Sequence, residues 1–300
     1  MIALLRAELR RFISRDVVRM FMVAVLIAIA IGGVITAVNS KVKQPGEQYR
    51  VELELCLAGQ YIPEEDLPRR FDTLDEFCAD AVRPEYFGNG DNRFQLRSLP
   101  DVLQHSAFLV VIGGLLLGAS FVGAEWHAGT MTTLLTWEPR RLRVLAAKAA
   151  VAAVGVFAMM VLLLAALAAV LVLVAVTRGI TSDLGDHFWR SVAGTTLRIS
   201  ACAVGGSLVG LGIAMLARST AAAIGIGFAY LGIVEGLIRG LRPGWQHFLL
   251  ADNIAVVITG GDQGIMRTPV TLTRAAVTVA VWAAVLLTGA GLSFRARDVA

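Results

Sequence analysis

Gly123-Ala-Glu-Trp-His-Ala-Gly-Thr-Met-Thr-Thr-Leu-Leu-Thr-Trp-Glu-Pro-Arg-Arg-Leu-Arg-Val-Leu-Ala-Ala-Lys148 joins two long apolar segments. It sets four cations, Arg140, Arg141, Arg143 and Lys148, against two acids, Glu125 and Glu138. Lys and Arg near span ends resist translocation, so a positive link between two spans belongs in the cytoplasm. The link also carries signals of local order. Gly129 and Thr130 read as a break followed by an N-cap, and Met131 to Trp137 as a short amphipathic helix. Pro139 suits the first turn of the next helix and pushes Glu138 away from helical geometry. A short ordered helix on the cytoplasmic side is what a membrane protein needs to dock onto a soluble partner.

The rest of the chain agrees with a membrane setting. Of 300 residues, 56% are hydrophobic and only 17% charged, with a mean hydropathy of +0.69. A soluble chain of this length would carry about a quarter charged residues. The fold class expected is therefore an all-α membrane protein. The net charge of +4 does not signal nucleic acid, because the cations gather at span ends without a basic stripe or interleaved aromatics.

Six segments reach the ~20 residues that a bilayer requires. They are Val17–Val38, Ser106–Gly123, Leu142–Val176, Val192–Leu216, Thr220–Gly240 and Leu272–Phe294. The second is the shortest, and the excess length of the third implies tilt or projection beyond the lipid. Ahead of the first span, apolar residues at 2, 5, 9, 12 and 13 share a helical spacing, with Arg6, Arg10, Arg11, Arg15 and Arg19 on the other side. Residues 1–16 are thus expected to form an amphipathic helix on the membrane surface. A cleaved signal peptide fits less well, since the apolar run is too long and lacks a clear small-residue cleavage site. The five arginines place the N-terminus inside, and six spans return the C-terminus, with Arg295 and Arg297, to the same side. The transmembrane domain then comprises residues 17–38 and 106–300.

Residues 39–105 fall outside as a small extracytoplasmic domain with 8 basic and 13 acidic residues, a net of −5. Its signals are turns at Gln44-Pro-Gly-Glu, Pro63-Glu-Glu-Asp and Gly88-Asn-Gly-Asp, and a helix over Asp72–Val82. Cys56 and Cys78, 22 apart on the oxidising face, favour a disulfide over two buried free thiols. Cys202, within the fourth span, reads as core packing.

Catalytic signatures are missing from the sequence. None of the three lysines follows the Gly-x-x-x-x-Gly pattern of a phosphate loop, and there is no His-Glu-x-x-His pair. His105, His127, His187 and His247 are too scattered to suggest a metal site, so no catalytic residue and no metal ligand is assigned. Gly205-Gly-Ser207 is better explained by helix packing than by a nucleophile. Glycines four apart recur at Gly114/Gly118, Gly206/Gly210, Gly232/Gly236 and Gly236/Gly240, where helices can approach closely within the chain or across a dimer. Two charges fall inside spans, Arg198 in the fourth and Glu235 in the fifth. Each needs a partner in hydrocarbon, and at similar depth on neighbouring helices they are expected to pair with one another. Arg239, one turn from Glu235, is the competing mate. A proton or substrate relay is the functional alternative.

Taken together, the basic surface helix, Gly123-Ala-Glu125 closing the second span, Gly129-Thr130 opening the link helix, and Leu134-Leu135 with Arg140-Arg141 and Lys148 resemble the permease subunit of a type-2 ABC exporter. Actinobacterial members with an extracytoplasmic insert after the first span are the nearest pattern. The insert of about 65 residues exceeds that of minimal members. The resemblance implies an elbow helix at residues 1–16 and a coupling helix, Gly129–Trp137, that docks a separate ATPase. On it, the coupling residues are Glu125, Gly129, Thr130, Met131, Leu134, Leu135, Arg140 and Arg141. It also implies two ATPase copies, which bring ATP and Mg, and a second permease chain, a homodimer being expected. This chain would hold no cofactor itself and would move an amphipathic or hydrophobic solute outward, as in multidrug efflux. The alternatives are a secondary transporter, which would show broken helices and midplane acids, and a non-transporting assembly or sensor subunit.

Overall fold

The computed structural model describes residues 2–41, 47–63, 67–68, 70–71, 73–87, 92–182, 184–261 and 269–296. The three expected turns of the 39–105 loop, the Asp72 start of its helix, and Arg297 lie wholly or partly outside these. The chain is all-helical, and among the described residues six helices are long and apolar enough to cross a membrane. It divides into two compact units: Met1–Ala30 with Arg97–Ala169 and Leu184–Ala300, and Ile31–Leu96 with Val170–Asp183.

The larger unit opens with α1 (Ile2–Ser14), separated by Arg15 from α2 (Asp16–Asn39), the first span. The inward stripe of α1 is not wholly apolar, because Glu8 and Phe12 are the two residues it buries. Ile2, Leu9 and Ile13 stay exposed, free to meet lipid. In the smaller unit, α3 (Glu47–Leu57) and α4 (Leu74–Ala81) hold a core made by Cys56, Cys78 and Val82, with Tyr49, Leu53, Leu74 and Phe77 around it. Cys56 and Cys78 form the expected disulfide, and it is the centre of that core. A domain with so few apolar residues needs such a staple. Thr73 caps α4 by accepting from the Glu76 N–H. On its last turn the hydrogen bond from Arg83 holds the Asp80 carboxyl below the usual carboxylate range, and the charges of Arg83 and Arg70 act in the same direction against the effect of burial. The C-terminal end of the first span is tied in the same unit, where Ser40 Oγ donates to the Arg178 carbonyl (2.9 Å) and accepts from the Phe94 N–H (2.9 Å).

The second span, α5 (Leu99–His127), is longer than the apolar run suggests. Its polar ends remain helical because they find partners in the protein: His105 Nδ1 lies 2.7 Å from the Asp101 carbonyl oxygen, and Glu125 enters an ion cluster described below. After the link helix α6 (Thr130–Trp137) comes α7 (Arg141–Arg178), 38 residues or roughly 57 Å at ~1.5 Å per residue. The core lies between α5 and α8 (Phe188–Ala217). Gly114 and Gly118 sit against the backbone of Ala203 and Ser207, while Gly206 and Gly210 sit against Val111 and Leu115. A methyl at Gly118 would overlap the Ser207 carbonyl oxygen, so only glycine allows this approach.

The fifth span runs over Thr220–Leu241 as α9 (Thr220–Ala229), one π-helical turn at Tyr230–Val234, and α10 (Glu235–Leu241). Next, the stretch between the fifth and sixth spans, which the sequence leaves as a connecting loop, folds back. A 3-10 turn, Pro243–Phe248, leads into α11 (Leu250–Thr259), which packs on α5, α8 and the last span, α12 (Leu272–Ala296). Trp282 Nε1 donates to the Phe248 carbonyl (2.9 Å), and Trp282 stands about ten residues, or ~15 Å, inside α12. The segment is therefore re-entrant.

Candidate functional site

Where the sequence expects Thr130 to cap the link helix, Gly129 takes that place with a left-handed φ of 67°, and Thr130 is the first helical residue. The tight reversal after α5 demands φ > 0, which glycine supplies without steric cost. Thr130 Oγ1 instead donates back to the Glu125 carbonyl (3.4 Å). Glu138 is extended, as the following proline requires. Pro139 itself stands outside the next helix: α7 begins at Arg141, and the Arg140 carbonyl accepts from Arg143 and Val144.

The faces of α6 differ from a simple docking patch. Met131 and Leu134 are buried, the former completely, and Leu135 is half-buried. Met131 and Leu134 anchor the helix, so they are unavailable to a partner, whereas Leu135 keeps part of its side chain accessible. Thr133, Thr136 and Trp137 are exposed, Trp137 by 85%, and Arg140 continues that surface beyond the helix end. Arg141 is turned inward, its Nη1 donating to the Phe294 carbonyl of α12 (2.9 Å).

Beneath the start of α6 lies a buried ion cluster that sequence reading did not assemble. Lys148, fully buried one-fifth of the way along α7, places Nζ 2.7 Å from Glu8 Oε2 and 2.7 Å from Glu125 Oε2. The first contact is an aligned hydrogen bond, whereas the second is an ion pair outside good hydrogen-bond geometry. Arg15, at the bend between α1 and α2, donates Nη2 to Glu125 Oε1 (2.9 Å) and Nη1 to the Ser120 carbonyl (2.7 Å). Arg11 Nη1 reaches Glu8 Oε1 (2.9 Å). Phe121 underlies the group, with Lys148 Nζ and the Arg15 guanidinium 4.9 and 5.0 Å from its ring centre. Three cations against two acids tie the surface helix, the end of α5 and the start of α7 into one body. Two signals pointed here: Glu8 shares the α1 stripe with Phe12, and Lys148 is the lone charge in an apolar run.

The expected Arg198–Glu235 pair is not formed. Glu235, fully buried, accepts from the Leu250 N–H (2.8 Å) and the Ala251 N–H (3.1 Å) with Oε1, and from Arg239 Nη2 (3.1 Å) with Oε2. Arg239 also clasps Asp252 through Nε (3.0 Å). Arg198 donates Nη2 to Thr195 Oγ1 (3.0 Å) and Nε to the Ile258 carbonyl (3.4 Å). The two charges therefore serve opposite ends of α11, acid at its N-terminus and cation at its C-terminus, which matches the helix dipole. The re-entrant helix supplies nearer partners than the neighbouring span. Compared with known families, curated proteins and solved structures, the chain matches none of them.

Proposed function

We propose that this chain is the permease half of an ATP-driven exporter, docking a separate ATPase through α6 and moving an amphipathic or hydrophobic solute outward. The observation that carries the reading is mechanical. An eight-residue helix presents an exposed tryptophan on one face, while its other face and its approach are fixed to two spans and the surface helix. A force applied to α6 would be passed directly into α5 and α7. In this proposal α6 and both termini are cytoplasmic, for which the support is the basic bias of the link and of α1. ATP and Mg belong to the partner. The docking surface comprises Thr133, Thr136, Trp137 and Arg140, whereas Met131 and Leu134 hold the helix from beneath.

A pair of permeases with two ATPases is part of the same proposal. Its support is on the fifth span, where Gly232, Gly236 and Gly240 have open space in front of them and Ile233 and Leu237 stand exposed beside them. Among the described residues this face has no intramolecular mate.

Affinity purification of the full-length protein in mild detergent should retain a phosphate-loop ATPase. Replacing Trp137→Ala together with Thr133→Arg should reduce the retained ATPase about tenfold with no change in thermal unfolding. Undiminished ATPase in that variant would refute α6 as the contact.

A further inference from the structure

We infer that the hollow between the end of α1 and the start of α6 binds the phosphate group of an anionic phospholipid from the leaflet on which α1 lies. The hollow, about 380 Å³, is lined by Arg11, Ser14, Arg15, Glu125, Thr130 and the small Ala124 and Ala128. Among the described residues the charges around it do not cancel, since Arg11, Arg15 and Lys148 face Glu8 and Glu125 alone. Arg15 is nearly used up by its bonds to Ser120 and Glu125. Arg11 is different: it spends one nitrogen on Glu8, keeps its side chain 49% exposed, and can turn its remaining donors into the hollow. A guanidinium with free N–H groups suits a phosphate oxygen better than an ammonium would.

The surroundings select a lipid over a soluble phosphate. Ile13 and Val17, which flank the lining Ser14 and Arg15 along the chain, and Met20 one turn further on are exposed apolar side chains that suit acyl chains and not water. Basic pockets at helix junctions by the membrane surface are suited to anionic headgroups. The hollow meets α6 only at its first residue, Thr130, and includes none of Thr133, Thr136, Trp137 and Arg140, so the inference does not depend on ATPase docking.

Thermal unfolding of the full-length protein in detergent tests it, with phosphatidylglycerol, phosphatidylcholine or inorganic phosphate added separately. Phosphatidylglycerol should stabilise the wild type, and the other two should not. Arg11→Gln should raise the midpoint concentration of that effect about fivefold, the factor expected for one cation near an anionic surface. Arg10→Gln, whose side chain is exposed and outside the hollow, should leave it unchanged. Ala128→Trp fills the hollow while keeping every charge, and should abolish the effect even if Arg11→Gln folds poorly. Equal losses in Arg10→Gln and Arg11→Gln would mean diffuse attraction and overturn the site. So would a full response in Ala128→Trp, no response in the wild type, or equal stabilisation by inorganic phosphate.

Discussion

Lys148 shows what a charge must find to remain inside a helical bundle. Alone in hydrocarbon it would cost at least ~2.5–3.5 kcal/mol on insertion scales. Here two carboxylates and an aromatic ring surround it. Removing one member of such a buried set strands the others, at about 3–5 kcal/mol, whereas removing opposite members together costs less than the sum. Lys148→Met and Glu8→Gln should each lower the unfolding temperature, and the double variant should lose clearly less than the two added. The same cycle on Arg198→Leu and Glu235→Leu should be additive within about 0.5 kcal/mol, because the two sit at opposite ends of α11. Additivity in the first cycle, or strong coupling in the second, would reverse these assignments. Neither pairing was legible from sequence for one physical reason. Counting residues from a span end gives depth, but not the direction in which a side chain points, nor what a returning segment brings to it.

At the scale of elements, the spans were legible because hydrocarbon thickness demands long apolar runs, and five of the six spans coincide with them to within a few residues or one turn. The second ran past its expected ends where Gln104, His105 and Glu125 stay within the helix. The re-entrant α11 was not legible. Its ten residues fall short of a span, and Asp252 and Asn253 in its first turn give it the polarity of a loop. Glycine spacing, by contrast, announced close approach without saying to what. Geometry separates the pairs: those on α5 and α8 meet each other's backbone, while those on the fifth span face open space. Gly118→Ala should therefore destabilise the protein by ~1–3 kcal/mol through overpacking. Gly236→Ala should leave the single chain as stable or firmer, by up to ~1 kcal/mol from helix propensity, while weakening self-association. Melting curves paired with native mass measurements separate the two effects. A destabilised Gly236→Ala monomer would show that this face packs within the chain.

For the whole molecule, charge distribution is the remaining organising force. Residues 39–105 carry a net of −5, whereas the link between α5 and α7 and the stretch before the first span are rich in arginine. Arg and Lys close to span ends oppose translocation far more than Asp and Glu promote it, so the proposed orientation rests on the arginines. The disulfide is consistent with the same orientation, since bridges persist on the oxidising side of a membrane. In intact cells, an impermeant thiol reagent should label a Tyr86→Cys variant, whose position is 73% exposed in the domain held by that bridge. A Trp137→Cys variant should react only after the membrane is permeabilised. Cys202 is buried and the other two cysteines are bonded, so the background should be low in both. Labelling of Trp137→Cys from outside would invert the orientation, put α6 out of reach of any cytoplasmic ATPase, and leave its anchored helix needing a different partner.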